Sequence, residues 1–190
     1  QGSGRGRLEL PVTLRIARQI ASALAATHEK GIVHRDLKPD NVMLVADPEA
    51  PGGERAKLLD FGIAKLRAEL TEGEDTRHVT MTGTLMGTPT FMSPEQCRGA
   101  GHVDERTDVY SLGIMLYLML GGRPPFVADG PGEIMLMHMT QQPGSLASLA
   151  PETPLELVTL VHQMLRKERT ERPSMAEVHA RLSRLAEALD

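Results

Sequence analysis

His34-Arg35-Asp36-Leu37-Lys38-Pro39-Asp40-Asn41 is the stretch on which the reading of this chain turns. It gathers ionisable side chains between two short apolar runs, Ile32–Val33 and Val42–Val45, both read as strands. In an extended loop, residues two apart point to the same side. Asp36 and Lys38 therefore bring a carboxylate and an ammonium together. Upstream, Ile16, Ile20 and Leu24, with Ala17 and Ala21, share one face at helical spacing. Pro11 suits the first turn of that helix and Gly31 its stop. Gln1–Leu10 reads as a loop. Downstream, Asp47–Arg55 reads as a turn and Lys57–Leu59 as a returning strand.

Further out the pattern becomes helical. From Lys65 to Thr90 there is no clean period, so that segment is expected to be a long functional loop. Val109–Leu120 is apolar almost all round and ends at Gly121–Gly122, the signature of a buried helix. Gly132–Thr140 is a weaker helix. Leu155–Leu165 carries a stripe of Leu157, Leu160, Val161 and Met164. Ser174-Met-Ala-Glu177 is a capping box opening a last helix with Val178, Leu182 and Leu185 on one stripe. The expected fold class is α+β, mainly α, with a few short strands around the 34–41 loop.

The bulk properties exclude several classes. A chain of 190 residues, 41% hydrophobic and 24% charged, has the composition of one globular domain. A net charge of −4 argues against a nucleic-acid module. Cys97 is the single cysteine, so no intrachain disulfide forms. No apolar run is long enough for a membrane span, and Gln1–Arg7 has no apolar stretch of the kind a secretory signal needs. The seven histidines make no metal-ligand spacing. Arg166-Lys167-Glu168-Arg169 reads as a solvated helix end.

Two further motifs follow the first in order: Asp60-Phe61-Gly62 behind a strand, and Ser93-Pro94-Glu95. With them the chain resembles the serine/threonine protein kinases, in their bacterial form, over almost its whole length. Alone, Asp36 reads equally as a turn former and Asn41 as a strand start; the ordered set does not. The resemblance implies a kinase-like large lobe whose small, β-rich lobe is absent. The whole of 1–190 would be a partial kinase domain, with 60–95 its activation segment. No Gly-rich phosphate loop or strand lysine is found, and Arg5-Gly6-Arg7-Leu8 matches the border between the lobes.

The resemblance also distributes roles. Asp36 is similar to the catalytic base that orients a substrate hydroxyl, Lys38 to the lysine that meets the γ-phosphate of ATP, and Thr88 to the threonine that holds both. Asn41 and Asp60 match the ligands of Mg²⁺, with Mn²⁺ an alternative, since both offer hard oxygens. Met43 falls where the family floors the adenine ring, and reads equally as an inward strand residue. Arg35 is the regulatory arginine that pairs with a phosphate on the activation loop. Thr76, Thr80, Thr82 and Thr84 are candidates for it, Thr80 and Thr82 first. His34, Phe61 and Gly62 are structural, the first two in a column coupling the lobes. Glu95 is expected to pair with Arg172, and Asp108 to hold the catalytic-loop backbone or serve as an ordinary N-cap. Cys97 has no base partner that would make it redox-sensitive.

The implied activity is transfer of the ATP γ-phosphoryl group to Ser or Thr of a protein. The implied partners are a protein substrate and the missing small lobe, and the implied location is cytoplasmic, with any membrane anchor outside this chain. A non-catalytic interaction module is the alternative. A small-molecule kinase of similar fold fits less well, because Ser93-Pro94-Glu95 is present.

Overall fold

The computed structural model of the chain describes residues 6–60, 89–99 and 103–189. The roles expected for Phe61, Gly62, Thr76, Thr80, Thr82, Thr84 and Thr88 fall outside the described residues.

Helix α1 spans Leu10–His28, with Pro11 in its first turn. Its apolar stripe, Leu14, Ile16, Ala17, Ile20, Ala21 and Leu24, is buried. Beyond it, Gly31 takes φ 71 and its N–H donates to His28 O at 2.9 Å. Only glycine enters that left-handed region without strain. Strands β1 (Val42–Ala46) and β2 (Glu54–Leu58) form an antiparallel hairpin whose register runs from Val42 opposite Leu58 to Ala46 opposite Glu54. The side chain of Gln19 docks the hairpin on α1. Its Nε2 donates to Glu54 O at 3.1 Å and its Oε1 accepts from Ala56 N–H at 2.7 Å. These bonds satisfy edge-strand groups that would otherwise face solvent unpaired.

The remaining helices among the described residues are α2 (Pro94–Cys97), α3 (Arg106–Gly121), α4 (Pro131–Thr140), α5 (Leu146–Leu149), α6 (Leu155–Met164) and α7 (Met175–Glu187). Helix α3 is the hub of the molecule. Every side chain from Thr107 to Tyr117 is buried, polar ones included. It packs against α1 and α6, while α7 lies along α1. At Gly113 an added Cβ would stand 3.0 Å from both Met164 Cβ and Leu165 Cδ2, so the glycine sets how closely α3 and α6 approach. Gly122 closes α3 in a left-handed cap at φ 77. The fold is mainly α with one small hairpin, as the sequence led us to expect.

Several expectations need correction. Ile32–Val33 is not a strand: Ile32 N–H donates to Thr27 O at 3.0 Å, and the His34 amide is taken by a side chain, so no ladder forms. The second strand starts earlier than expected, at Glu54. Asp108 is not an N-cap. Glu105 occupies that position, and Asp108 lies in the first turn of α3. Met43 does not point inward: it is 48% exposed, because the hairpin packs on α1 through its other residues. Arg166–Arg169 is more than a solvated end, since Lys167 reaches the rings of Phe126 and Tyr110.

Candidate active site

The 34–41 loop is fixed from below. Asp108, fully buried, accepts the His34 N–H at Oδ2 (2.8 Å) and the Arg35 N–H at Oδ1 (2.9 Å). His28 Nε2 donates to the same Oδ2 at 2.8 Å. A buried carboxylate needs such donors to offset its desolvation. From the other side, Gln96 Nε2 donates to Arg35 O at 2.7 Å. Arg35 adopts φ 65, a left-handed conformation unusual for a non-glycine residue. The hydrogen bonds on both of its peptide groups hold it there. His34 is fully buried, and its Nε2 donates to Leu59 O at 2.9 Å. That contact joins the loop to the end of β2.

Above this base the functional groups converge. Lys38 is extended (φ −158, ψ 165), and its Nζ donates to Asp36 Oδ2 at 3.0 Å. Asn41 lies in a 3-10 turn, Pro39–Asn41. Its Nδ2 donates to Asp36 O at 2.7 Å and to Asp36 Oδ2 at 3.2 Å. Because the amide nitrogen is committed, Oδ1 is the atom of Asn41 left to face a cation. Leu59 N–H donates to Asn41 O at 2.9 Å, which sets Asp60 beside Asn41. Asp60 is exposed and adopts φ 49, a second left-handed non-glycine. One amide oxygen and one exposed carboxylate make a donor set that suits Mg²⁺, which takes few protein ligands and completes its shell with phosphate and water. No cluster of three or more His, Cys, Asp or Glu able to hold a metal is found among the described residues.

The third motif is equally built. Ser93 caps α2: its side chain accepts from Gln96 N–H while Gln96 Oε1 accepts from Ser93 N–H at 3.0 Å. Ser93 also bonds Thr107 at the start of α3. Glu95 meets Arg172 in a two-pronged pair, with Nη1 to Oε1 at 2.7 Å and Nη2 to Oε2 at 2.8 Å. Arg172 also donates to the carbonyls of Arg166, Lys167 and Arg106, so its whole guanidinium fork is bonded. Burial pushes the Glu95 carboxyl up, but the Arg172 hydrogen bonds and charge outweigh it, leaving it below the usual carboxylate range. Cys97 is buried. Burial, then the Glu95 charge, drives its thiol up to about 11, which makes it inert as a nucleophile.

Sequence reasoning missed His28 and, as a ligand of the loop, Gln96. Gln96 carried a signal: Ser93-Pro-Glu-Gln96 is a capping-box pattern. His28 carried none, because its partner lies 80 residues away.

Comparison with known proteins shows the family of the chain. The protein kinase domain family matches residues 4–181. The chain is 41% identical over 165 residues to serine/threonine-protein kinase pkn2 of Myxococcus xanthus, covering 86% of this chain and 19% of that protein. It is 38% identical over 164 residues to the probable serine/threonine-protein kinase SCO3848 of Streptomyces coelicolor, covering 86% of this chain and 23% of that protein. It is also 41% identical over 130 residues to PknB of Mycobacterium leprae, covering 68% of this chain and 19% of that protein. The chain thus spans about a fifth of the length of these relatives. On a match across nearly all of its length, the chain belongs to the protein kinase family, in its bacterial serine/threonine branch.

Proposed function

We propose that this chain is the catalytic lobe of a serine/threonine protein kinase, a partial kinase domain whose residues 60–95 form the activation segment. The observation that carries the reading is the convergence on one carboxylate oxygen: Lys38 Nζ at 3.0 Å and Asn41 Nδ2 at 3.2 Å from Asp36 Oδ2. Phosphoryl transfer asks a protein for positioning and charge neutralisation rather than covalent work. Asp36 orients the hydroxyl of a substrate Ser or Thr and takes up its proton. Lys38, beside it, neutralises charge developing on the transferred group. Asn41 Oδ1 and Asp60 hold Mg²⁺, or Mn²⁺ in its place. Bound MgATP supplies the phosphoryl group and the cation that spreads its charge. Met43, exposed, floors the adenine. Arg35 receives a phosphate introduced at Thr80 or Thr82, and Thr88 steadies Asp36 and Lys38.

The reading includes a second, small lobe above this one. Ile32, Met43 and Leu44, which flank the catalytic loop, are 47%, 48% and 42% exposed, apolar surface of the kind a partner covers. The catalytic surface works in the cytoplasm. No helix among the described residues is long and apolar enough to cross a membrane.

The test uses the full-length protein with MgATP and a Ser/Thr peptide library. Wild type should phosphorylate the library, and Asp36→Asn should lower kcat by about 10²–10⁴-fold with little change in ATP binding. Full activity in Asp36→Asn would overturn the role of Asp36. Absence of turnover in wild type, with retained partner binding, would favour the interaction module. The 190-residue chain alone should be nearly inactive, and turnover by it would overturn the requirement for a small lobe.

A further inference from the structure

Two adjoining cavities lie along α1, and no residue of the 34–41 loop lines either. The first, of about 230 Å³, is bounded by the start of α1, the hairpin turn Pro51–Gly53 and the end of α7. Val12, Ala186 and Leu189 give it apolar walls, and Leu189 is 47% exposed. The second, of about 340 Å³, continues along α1 past Gln19 and Ser22, between the hairpin turn and His179 of α7. Arg18 and Pro51 line both, so the two form one groove. From Val12 to Ala23, α1 borders it for about 17 Å. That is room for about five residues of extended chain.

A glycine lets the turn close one side of the groove. Gly52 takes φ 73, and a Cβ there would stand 2.7 Å from Arg15 Nη1. With no side chain in the way, the turn lies against the Arg15 guanidinium, which donates to Gly52 O at 3.2 Å and to Pro51 O at 3.5 Å. Arg15 Nη2 also pairs with Glu54 Oε2 at 2.9 Å. Arg15 is therefore committed to the turn, and Arg55 is committed to Asp47. Arg18 is different. It lies three residues beyond Arg15, on the same face of α1. It is half-buried where the cavities meet, and it has no hydrogen bond or ion pair among the described residues. Three arginines line the groove against one carboxylate, the exposed Glu49. This local excess of cations stands in a chain whose net charge is −4.

We propose that the groove along α1 docks an extended acidic segment of a protein partner, with a carboxylate on Arg18 and an apolar side chain between Val12 and Leu189. A free guanidinium is the side chain best shaped to take a carboxylate in a two-pronged bond. Charge complementarity selects the occupant. A basic segment would meet three arginines. A wholly apolar one would strip water from Arg18 and give nothing back. With the hairpin turn on one side and α7 on the other, the groove admits a chain rather than a flat bilayer. Because no residue of the 34–41 loop lines it, an occupant leaves that loop open. The docking requires no turnover and so stands apart from the kinase reading.

The experiment is fluorescence anisotropy on the full-length protein with a short labelled peptide of alternating Glu and Leu. Two control peptides carry Lys in place of Glu, or Gly in place of Leu. The Glu–Leu peptide should bind, more weakly as salt is raised, and both controls should bind less well. Arg18→Ala should weaken the Glu–Leu peptide by about 5- to 10-fold, the range of one charge-assisted contact, and Arg18→Lys should recover part of the loss. Leu189→Gln, which leaves every arginine in place, should weaken it by a similar factor. Thermal unfolding at the wild-type temperature shows that each variant is folded. No binding by wild type, equal binding of the Lys peptide, or unchanged affinity in both Arg18→Ala and Leu189→Gln would overturn the proposal. So would Arg18-dependent capture of phosphatidylserine vesicles without peptide binding, which would make the face a membrane contact. If wild type turned over no substrate, the kinase reading would fall and the anisotropy would still decide the docking.

Discussion

Arg172 shows what one buried side chain costs to lose. It is 2% exposed, and each arm of its guanidinium is bonded to Glu95 or to backbone carbonyls. Arg172→Met would leave the Glu95 carboxylate buried without its counter-charge and three carbonyls without their donor. Breaking a buried pair in this way costs about 3–5 kcal/mol, and the urea midpoint should fall accordingly. Arg172→Lys should recover little, because an ammonium cannot fill a two-pronged site. The sequence placed Glu95 and Arg172 together only through resemblance, since nothing local joins residues 77 apart. Asp36 and Lys38 were different. Two residues apart on an extended segment, they meet by local geometry, and that much was legible without any relative.

At the scale of elements, the long periodic helices were legible and the irregular pieces were not. The stripes of α1, α6 and α7 declare helices by their period, and α3 declares itself by the length of its apolar run, too long for one strand. Ile32–Val33 has strand-like composition but no strand to pair with among the described residues, and β propensity without a partner decides nothing. Helix α2 has four residues, too few for any period, and only its Ser93–Gln96 capping box announces it. The junction of α3 and α6 gives the prediction proper to this scale. Gly113→Ala would press a methyl to 3.0 Å from Met164 and Leu165. The two helices would have to part, costing about 1–3 kcal/mol despite the better helix propensity of alanine. Chemical denaturation measures it, and stability equal to wild type would show that α6 yields freely.

For the molecule as a whole, the buried polar groups set how stability follows pH. His138 has a folded pKa of about 4 against an ordinary value of 6.5. Lys167 and Tyr110 face it, one cationic and one a neutral phenol. Between those two pH values the unfolded chain binds the proton and the folded chain does not, so stability rises with pH. The contribution is complete above about pH 6.5 and is lost as the pH falls toward 4. Glu95 acts in the same direction further down: its folded pKa is lowered, so its contribution is present above the ordinary value of 4.5 and is lost as the pH falls through the folded one. Urea midpoints taken at pH 7, 5.5 and 4.5 should therefore decline steadily. The decline above pH 4.5 should flatten in His138→Phe, by a total on the order of 2–3 kcal/mol. A slope unchanged in that variant would place the acid sensitivity elsewhere.

The left-handed turn at Arg35 works as a logical conjunction. Its amide hydrogen is held by α3 through Asp108, and its carbonyl by α2 through Gln96. Neither helix alone fixes both faces of a residue that would otherwise relax to negative φ. The loop bearing Asp36 thus answers to two conditions, that α3 holds the Arg35 amide and that α2 holds its carbonyl. It is in register only when both are true.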